Sequence, residues 1–211
     1  MAATWVGAGG SVTGSDIDDK MLAHASAFVA AESLGNVTLL KDDIFASQMP
    51  SHSFDLVHSR FHIAPLGRAA EQVAIYRRLT RPGGWIVVED PDISSWRVNP
   101  DAPAIQQLID LIEEGFRVAG GNFNAGRELP TLLREMELDP LFGAHVIALP
   151  PGHPYLRLPL QFAASLRPRL EALIGVSELA ELLRRAEDEL KRPDTWGTTF
   201  TLIQTRALVP A

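Results

Sequence analysis

Val37-Thr-Leu-Leu-Lys-Asp-Asp-Ile-Phe45, Ser53-Phe-Asp-Leu-Val-His58 and Arg77-Arg-Leu-Thr-Arg-Pro-Gly-Gly-Trp-Ile-Val-Val-Glu-Asp90 decide the fold. Each holds a short apolar run that stops at acidic or polar residues: Val37 to Leu40, Phe54 to Val57 and Trp85 to Val88. These runs are rich in β-branched and aromatic residues and short enough for buried strands, although periodicity alone does not separate them from helix fragments. Between the second and third lies Leu66 to Leu79, with apolar residues at Ala69, Ala70, Val73, Ala74, Tyr76 and Leu79. That spacing predicts a helix, closed by a turn at Pro82-Gly83-Gly84. Strands alternating with helices imply parallel pairing, with helices on both faces of one sheet. Ligands of such sheets sit at the carboxyl ends of the strands. Those ends carry Asp42, Asp43, His58, Ser59, Arg60, Glu89 and Asp90.

Bulk properties narrow the function. At 211 residues the chain suits one domain, or one domain with a lid. Its formal net charge of -7, with no basic run, argues against nucleic acid as a partner, because phosphates need clustered Lys and Arg. There are no cysteines, which excludes disulfides and thiolate metal sites. No stretch is long enough to span a bilayer and the amino terminus lacks a signal peptide's pattern, so the expected location is cytoplasmic.

Working outward, Ser11 to Ser15 reads as a strand leading to Asp16-Ile17-Asp18. Asp18 suits the cap of a helix with the apolar stripe Met21, Leu22, Ala25, Phe28 and Val29, stopped by Gly35. Beyond Asp90, Pro91 to Pro103 reads as a loop and Ala104 to Ala119 as an amphipathic helix. Glu128 to Leu138 reads as a helix with Pro130 in its first turn. Ala144 to Leu149 is a strand, Pro150 to Pro159 a rigid connector, and Leu160 to Lys191 helical with breaks near Pro168 and Gly175. Thr198 to Leu208 alternates and closes as a strand.

Val12-Thr-Gly-Ser-Asp-Ile-Asp-Asp-Lys-Met-Leu22, the pair Asp42-Asp43, Ser53-Phe-Asp-Leu-Val57 and Leu79-Thr-Arg-Pro-Gly-Gly-Trp-Ile-Val-Val88 resemble, in order and spacing, the successive motifs of class I S-adenosylmethionine-dependent methyltransferases. The resemblance is to the ubiquinone/menaquinone-biosynthesis-type and small-molecule branch, and covers roughly residues 6–90. It implies a Rossmann-like three-layer α/β sandwich with a mostly parallel sheet. The layout it implies is a single methyltransferase-like domain over 1–211, with a core of about 6–90, 126–149 and 197–208. Helical lid or substrate segments would occupy about 91–125 and 150–196. It implies S-adenosylmethionine as cofactor and a small-molecule substrate, with no nucleic acid and no membrane span; a homo-oligomer is left open. By the same resemblance Asp16 would accept the ribose hydroxyls, Ile17 would pack on the adenine with Met21 adding to that wall, and Asp43 would bind the adenine amino group. The Ile44 amide would address a ring nitrogen, and Ser59 and Arg60 would line the methionine end and the substrate mouth. A carboxylate suits the first role because it only accepts and can hold two hydroxyls.

One departure stands out. The family begins with a strand and a Gly-rich turn, and nothing before Val12 supplies that whole unit. Gly7-Ala-Gly-Gly10 permits close backbone approach, but it abuts the next motif without an intervening helix and reads better as the loop entering the strand. The fold is therefore expected to be N-terminally incomplete, with two strand edges left unpaired. A late start codon, a rearranged sheet or a partner would each account for this. The first reading of function is methyl transfer from S-adenosylmethionine to oxygen, nitrogen or carbon of a small, largely apolar metabolite. The alternative is a truncated, non-catalytic binding or assembly protein on the same fold. A nucleotide-dependent oxidoreductase is disfavoured by the missing Gly-x-Gly-x-x-Gly turn. His58 and His62 are candidate general bases and Glu89 and Asp90 candidate acids. For each, an ordinary structural role is the competing reading, so no catalytic residue is assigned. Trp96, Phe116, Phe123 and Phe162 either line an apolar pocket or bury helices against the sheet. No metal set and no triad is read from the sequence.

Overall fold

The computed structural model describes residues 3, 6–7 and 9–210. They form two compact units, residues 1–50 and residues 51–211, which are taken separately.

In the first unit, strand β1 (Val12–Asp16) pairs in parallel with β2 (Val37–Lys41), from Val12 opposite Val37 to Asp16 opposite Lys41. Helix α1 (Asp19–Ala31) connects them, capped as expected by Asp18, whose carboxylate accepts from the Lys20 amide at 2.7 Å. The apolar stripe behaves only partly as expected. Leu22, Ala25 and Val29 are half-buried, Met21 and Phe28 are exposed, and no residue of α1 is buried. One helix on two strands has too little surface to cover a full apolar face. Gly7 and Gly10 close a turn before β1 (Gly10 N to Gly7 O, 3.3 Å), and the Asn36 amide donates to both their carbonyls. The glycines thus serve as the loop entering the strand.

The second unit is built on a four-stranded sheet in the order β3 (Phe54–Arg60), β4 (Thr80–Asp92), β9 (Thr201–Leu208), β6 (Pro140–His145). The pair β3–β4 is parallel, whereas β9 runs antiparallel to both β4 and β6, so the sheet is mixed. Between β3 and β4 lie α2 (Ile63–Leu66) and α3 (Ala69–Leu79). The expected turn at Pro82-Gly83-Gly84 is instead part of β4, where the ladder shifts register and Gly83, at φ +74°, donates to Val209 O at 2.9 Å. Only a residue free to adopt positive φ allows the strand to bulge there without a break. Among the described residues β1 pairs only with β2 and β3 only with β4, leaving one open edge on each.

Beyond β4 come α4 (Pro103–Arg117) and α5 (Ala125–Glu135). Because α5 starts at Ala125, Pro130 falls inside it rather than in its first turn. The Pro-rich stretch from Pro150 ends in α6 (Leu158–Ser165), followed by α7 (Arg167–Ile174) and α8 (Val176–Leu190). A small sheet orders β5 (Arg97–Asn99), β8 (Trp196–Thr198) and β7 (Ala148–Leu149). The apolar faces of α4 and α6 to α8 share one core with Ile93, Trp96 and Phe123. Its centre is aromatic: Phe116 and Phe123 meet edge to face at 5.0 Å, and Trp96 stacks on Phe123 at 5.7 Å. Trp96 and Phe123 are each 1% exposed, so these rings bury helices and do not line an open pocket.

Candidate functional site

The site residues expected from the sequence fall on both units. In the first, Asp16 ends β1 and Ile17 follows it. One Asp16 oxygen accepts from the Asp18 amide at 2.8 Å; the other has no partner among the described residues and is available to a ligand. Ile17 is 61% exposed and Met21 46% exposed, so both apolar side chains are accessible. Asp43 is exposed and caps the short 3-10 turn Ile44–Ala46, its Oδ1 accepting from Phe45 N at 3.0 Å. The Ile44 amide, at the first position of that turn, donates to no group among the described residues, as is usual for the first N–H of a helical turn. The neighbouring Asp42 differs: one oxygen accepts from Gln48 N, while Oδ2 is buried with no hydrogen-bond partner. That orphan marks Asp42 as a second acid of interest at the end of β2, one that the motif spacing passed over in favour of Asp43.

In the second unit the carboxyl ends of β3 and β4 carry two polar groups on opposite faces of the strands, as the two-residue period requires. On one face His58 and Arg60 approach Glu89: Arg60 Nε lies 3.5 Å from Glu89 Oε2 and His58 Nε2 3.8 Å from Oε1. Gln204 Nε2 donates to the same carboxylate at 2.7 Å. Arg60 therefore already has an acidic neighbour, with its own side chain 65% exposed. On the other face Ser59 turns its hydroxyl inward, buried and without a hydrogen-bond partner.

Beyond Ser59 the chain turns sharply. Phe61 sits at φ +52°, a strained value for an aromatic residue, and its amide donates to Glu89 O at 2.7 Å. The next residue, His62, enters a network that the sequence did not disclose. His62 Nδ1 lies 2.8 Å from Gln72 Oε1 and 3.3 Å from the Tyr76 hydroxyl, which donates to Gln72 Oε1 at 2.8 Å. Gln72 Nε2 donates to Gly67 O at 2.7 Å. Burial raises the Tyr76 phenol to about 12, so it stays protonated. Beside this group Asp90 is fully buried, accepting from the amides of Ala64 at 2.8 Å and Ile63 at 3.4 Å. Burial raises its carboxyl to about 6 against the pull of those amides. Two residues on, Asp92 is held down to about 2 by the Arg127 guanidinium, whose Nε donates to it at 2.6 Å. Gln72 and Tyr76 were missed because they share the buried stripe of α3, where only a polar residue among apolar neighbours gave a signal. A cleft of about 550 Å³ runs between α3 and α5, lined by Ile63, Gly67, Arg68, Asn122, Arg127 and Leu129, and includes none of the predicted site residues.

Comparison with known proteins bears on the fold. Residues 1–84 match a family model described as a methyltransferase domain. Nocamycin O-methyltransferase from Saccharothrix syringae is 34% identical over 103 residues, which cover 47% of this chain and 37% of that protein. Among solved structures, the YcgJ protein from Bacillus subtilis superposes with a TM-score of 0.61 at 14% identity, over 95% of this chain and 83% of that one. CrArsM from Chlamydomonas reinhardtii, an arsenic(III) S-adenosylmethionine methyltransferase, gives a TM-score of 0.55 at 22% identity, over 99% of this chain and 58% of that one. The fold is the Rossmann-like fold of class I methyltransferases.

Proposed function

We propose that the protein transfers a methyl group from S-adenosylmethionine to a small, largely apolar metabolite. The observation that carries this reading is Asp16: an acceptor-only side chain at a strand's carboxyl end, held by Asp18 N with its second oxygen free. That acceptor fits a ribose diol, whose hydroxyls donate. Asp43, the free Ile44 amide and the exposed Ile17 and Met21 fit an adenine edge and face. When bound, S-adenosylmethionine supplies an electrophilic methyl group on a sulfonium. The chain's task is then to fix the geometry of attack and exclude water. The relative that methylates oxygen and the structural neighbour that uses S-adenosylmethionine support this reading.

A second reading, a non-catalytic binding or assembly protein on the same fold, is favoured by Gly7 and Gly10. Their carbonyls are engaged by Asn36, which leaves no described Gly-rich turn for a cofactor tail. Calorimetric titration with S-adenosylhomocysteine separates the two. A chain that binds at micromolar strength, with Asp16→Ala weakening it by at least ~10-fold, supports the enzyme, since hydrogen bonds to a charged group are worth ~1.5–3 kcal/mol each. Silence in the titration refutes it and leaves the binding protein.

A further inference from the structure

The outer edge of the four-stranded sheet is open. Among the described residues β6 bonds only to β9, so its other side carries unpaired backbone groups. Which groups these are follows from the ladder. Val209 N donates to Gly84 O and Val209 O accepts from Gly83 N, each at 2.9 Å, so Val209 turns its backbone toward β4. Residues along an antiparallel strand alternate sides, so Leu208, Arg206, Gln204 and Leu202 turn theirs toward β6. The last three stand opposite Leu141, Gly143 and His145. The residues between, Pro140, Phe142 and Ala144, therefore point outward. Proline fits the place, because its missing N–H leaves no gap in the bonds to β9. Natural sheets blunt such an edge with charge, a bulge or a covering element. Pro140 to Ile147 holds no Lys, Arg, Asp or Glu, and β6 pairs with β9 without a register shift. Arg134 lies over the Phe142 ring at 5.9 Å yet leaves that residue 58% exposed, and Leu141, Val146 and Ile147 are exposed beside it.

We propose that this edge is the interface of a homodimer. β6 pairs antiparallel with β6 of a second copy about a two-fold axis at Phe142, which joins the two four-stranded sheets into one. Hydrogen bonding and charge together select a second copy and this register. With Phe142 opposite Phe142 of the partner subunit, the two exchange both N–H···O bonds. Each Ala144 amide then donates to Pro140 O of the partner subunit, so the absent proline amide falls at the end of the ladder. The two Phe142 rings meet on one face, an aromatic cross-strand pair. On the other face Leu141 lies over Gly143 of the partner subunit, which has no side chain to obstruct it and no neighbour within 4 Å of an added Cβ. The same register sets Asp139 opposite His145 of the partner subunit, an acid facing a base at each end, with nothing charged between. A chain of net charge -7 repels its own copy over most surfaces, and this stretch is free of that penalty. The contact is isologous and closes at two copies. A single strand pair buries area at the low end of specific interfaces, so a dissociation constant of ~10 µM is expected.

Sedimentation equilibrium of the full chain from ~1 to ~500 µM tests this without any cofactor, so the outcome is independent of the methyl-transfer reading. A monomer–dimer equilibrium is expected. Phe142→Asp sets like charges together on the axis, and Ala144→Pro removes an outward amide while sparing the bonds to β9. Each should weaken the dimer by at least ~10-fold, with the near-ultraviolet ellipticity of the Trp96 cluster showing that the second unit stays folded. The absence of native cysteines makes single-cysteine variants clean reporters. Paired residues at the axis have Cα atoms ~5.5 Å apart, within disulfide reach. Oxidation should therefore link Phe142→Cys into a covalent dimer and leave Leu141→Cys, opposite a glycine, unlinked. A native chain that stays monomeric across the range overturns the proposal, as does a series of oligomers beyond the dimer. So does a dimer that both folded substitutions leave intact, or one that links through position 141 in preference to 142.

Discussion

Replacing Asp90 by Asn should flatten a pH dependence of stability that the native chain carries. Asp90 is fully buried and its carboxyl is raised from 3.8 to about 6 in the folded state, chiefly by burial. Between those values the folded chain holds a proton that the unfolded chain has lost. Stability from this group is complete below about pH 4 and disappears as pH rises through about 6. At ~1.4 kcal/mol per pH unit, the difference amounts to ~3 kcal/mol. Asn has the same shape and keeps an oxygen for the Ala64 amide at 2.8 Å. It loses the weaker Ile63 bond at 3.4 Å, a cost of ~1 kcal/mol that does not vary with pH. Urea unfolding of both chains at pH 4.5 and 7.5, followed by the near-ultraviolet ellipticity of the Trp96 cluster, isolates the second unit. The variant should be the less stable at pH 4.5 and gain on the native chain by ~2–3 kcal/mol at pH 7.5. A stability difference that stays constant across this range refutes the assignment of a raised carboxyl to Asp90.

Two further outcomes follow from the same strand. A Cβ on Gly126 would lie 2.2 Å from Asp90 O and 2.9 Å from its carbonyl carbon, so α5 packs on β4 at a distance only glycine allows. Gly126→Ala should lower the urea midpoint by an amount equal to ~1–3 kcal/mol, and an unchanged midpoint contradicts the packing. Arg127→Ala removes the donor that holds Asp92 at about 2. It should cost ~1–2 kcal/mol at neutral pH, discounted because the guanidinium is 48% exposed. With a lowered carboxyl the contribution is present above about pH 4 and lost as pH falls through about 2, so the two chains should converge in acid-unfolding curves.

The elements legible in the sequence were those whose signal is local. Val37 to Leu40 and Phe54 to Val57 became β2 and β3 because β-branched and aromatic runs bounded by polar residues have few other uses, and Asp18 capped α1 because a cap is a short-range hydrogen bond. What failed depended on distant partners. Pro82-Gly83-Gly84 reads as a turn in isolation, but Val209, at the far end of the chain, accepts from Gly83 and draws the segment into β4. The sequence shows the apolar stripe of α1 but not how much of it is covered: burial needs a partner surface, and among its described residues the first unit offers two strands.

The candidate site divides along the same line. The places of Asp16 at the end of β1 and of Asp43 before the turn Ile44–Ala46 were legible because a motif fixes them relative to strand ends that sequence alone locates. The group around His62 was half legible. Histidine at a strand end is a visible candidate, and so is an acid at Asp90, but neither shows in a sequence whether it is poised or merely present. That depends on Gln72, ten residues downstream on a helix whose apolar spacing hides it, and on Gly67 O, a backbone atom with no residue-type signature at all. That carbonyl accepts from Gln72 Nε2 and so turns the amide oxygen toward the His62 ring. Such a chain of donors has no linear pattern to read, because each link is chosen by which atom can only accept. Where a buried polar side chain interrupts a helix stripe beside a strand-end histidine, as Gln72 does, the question to put to the sequence is which backbone carbonyl would orient it.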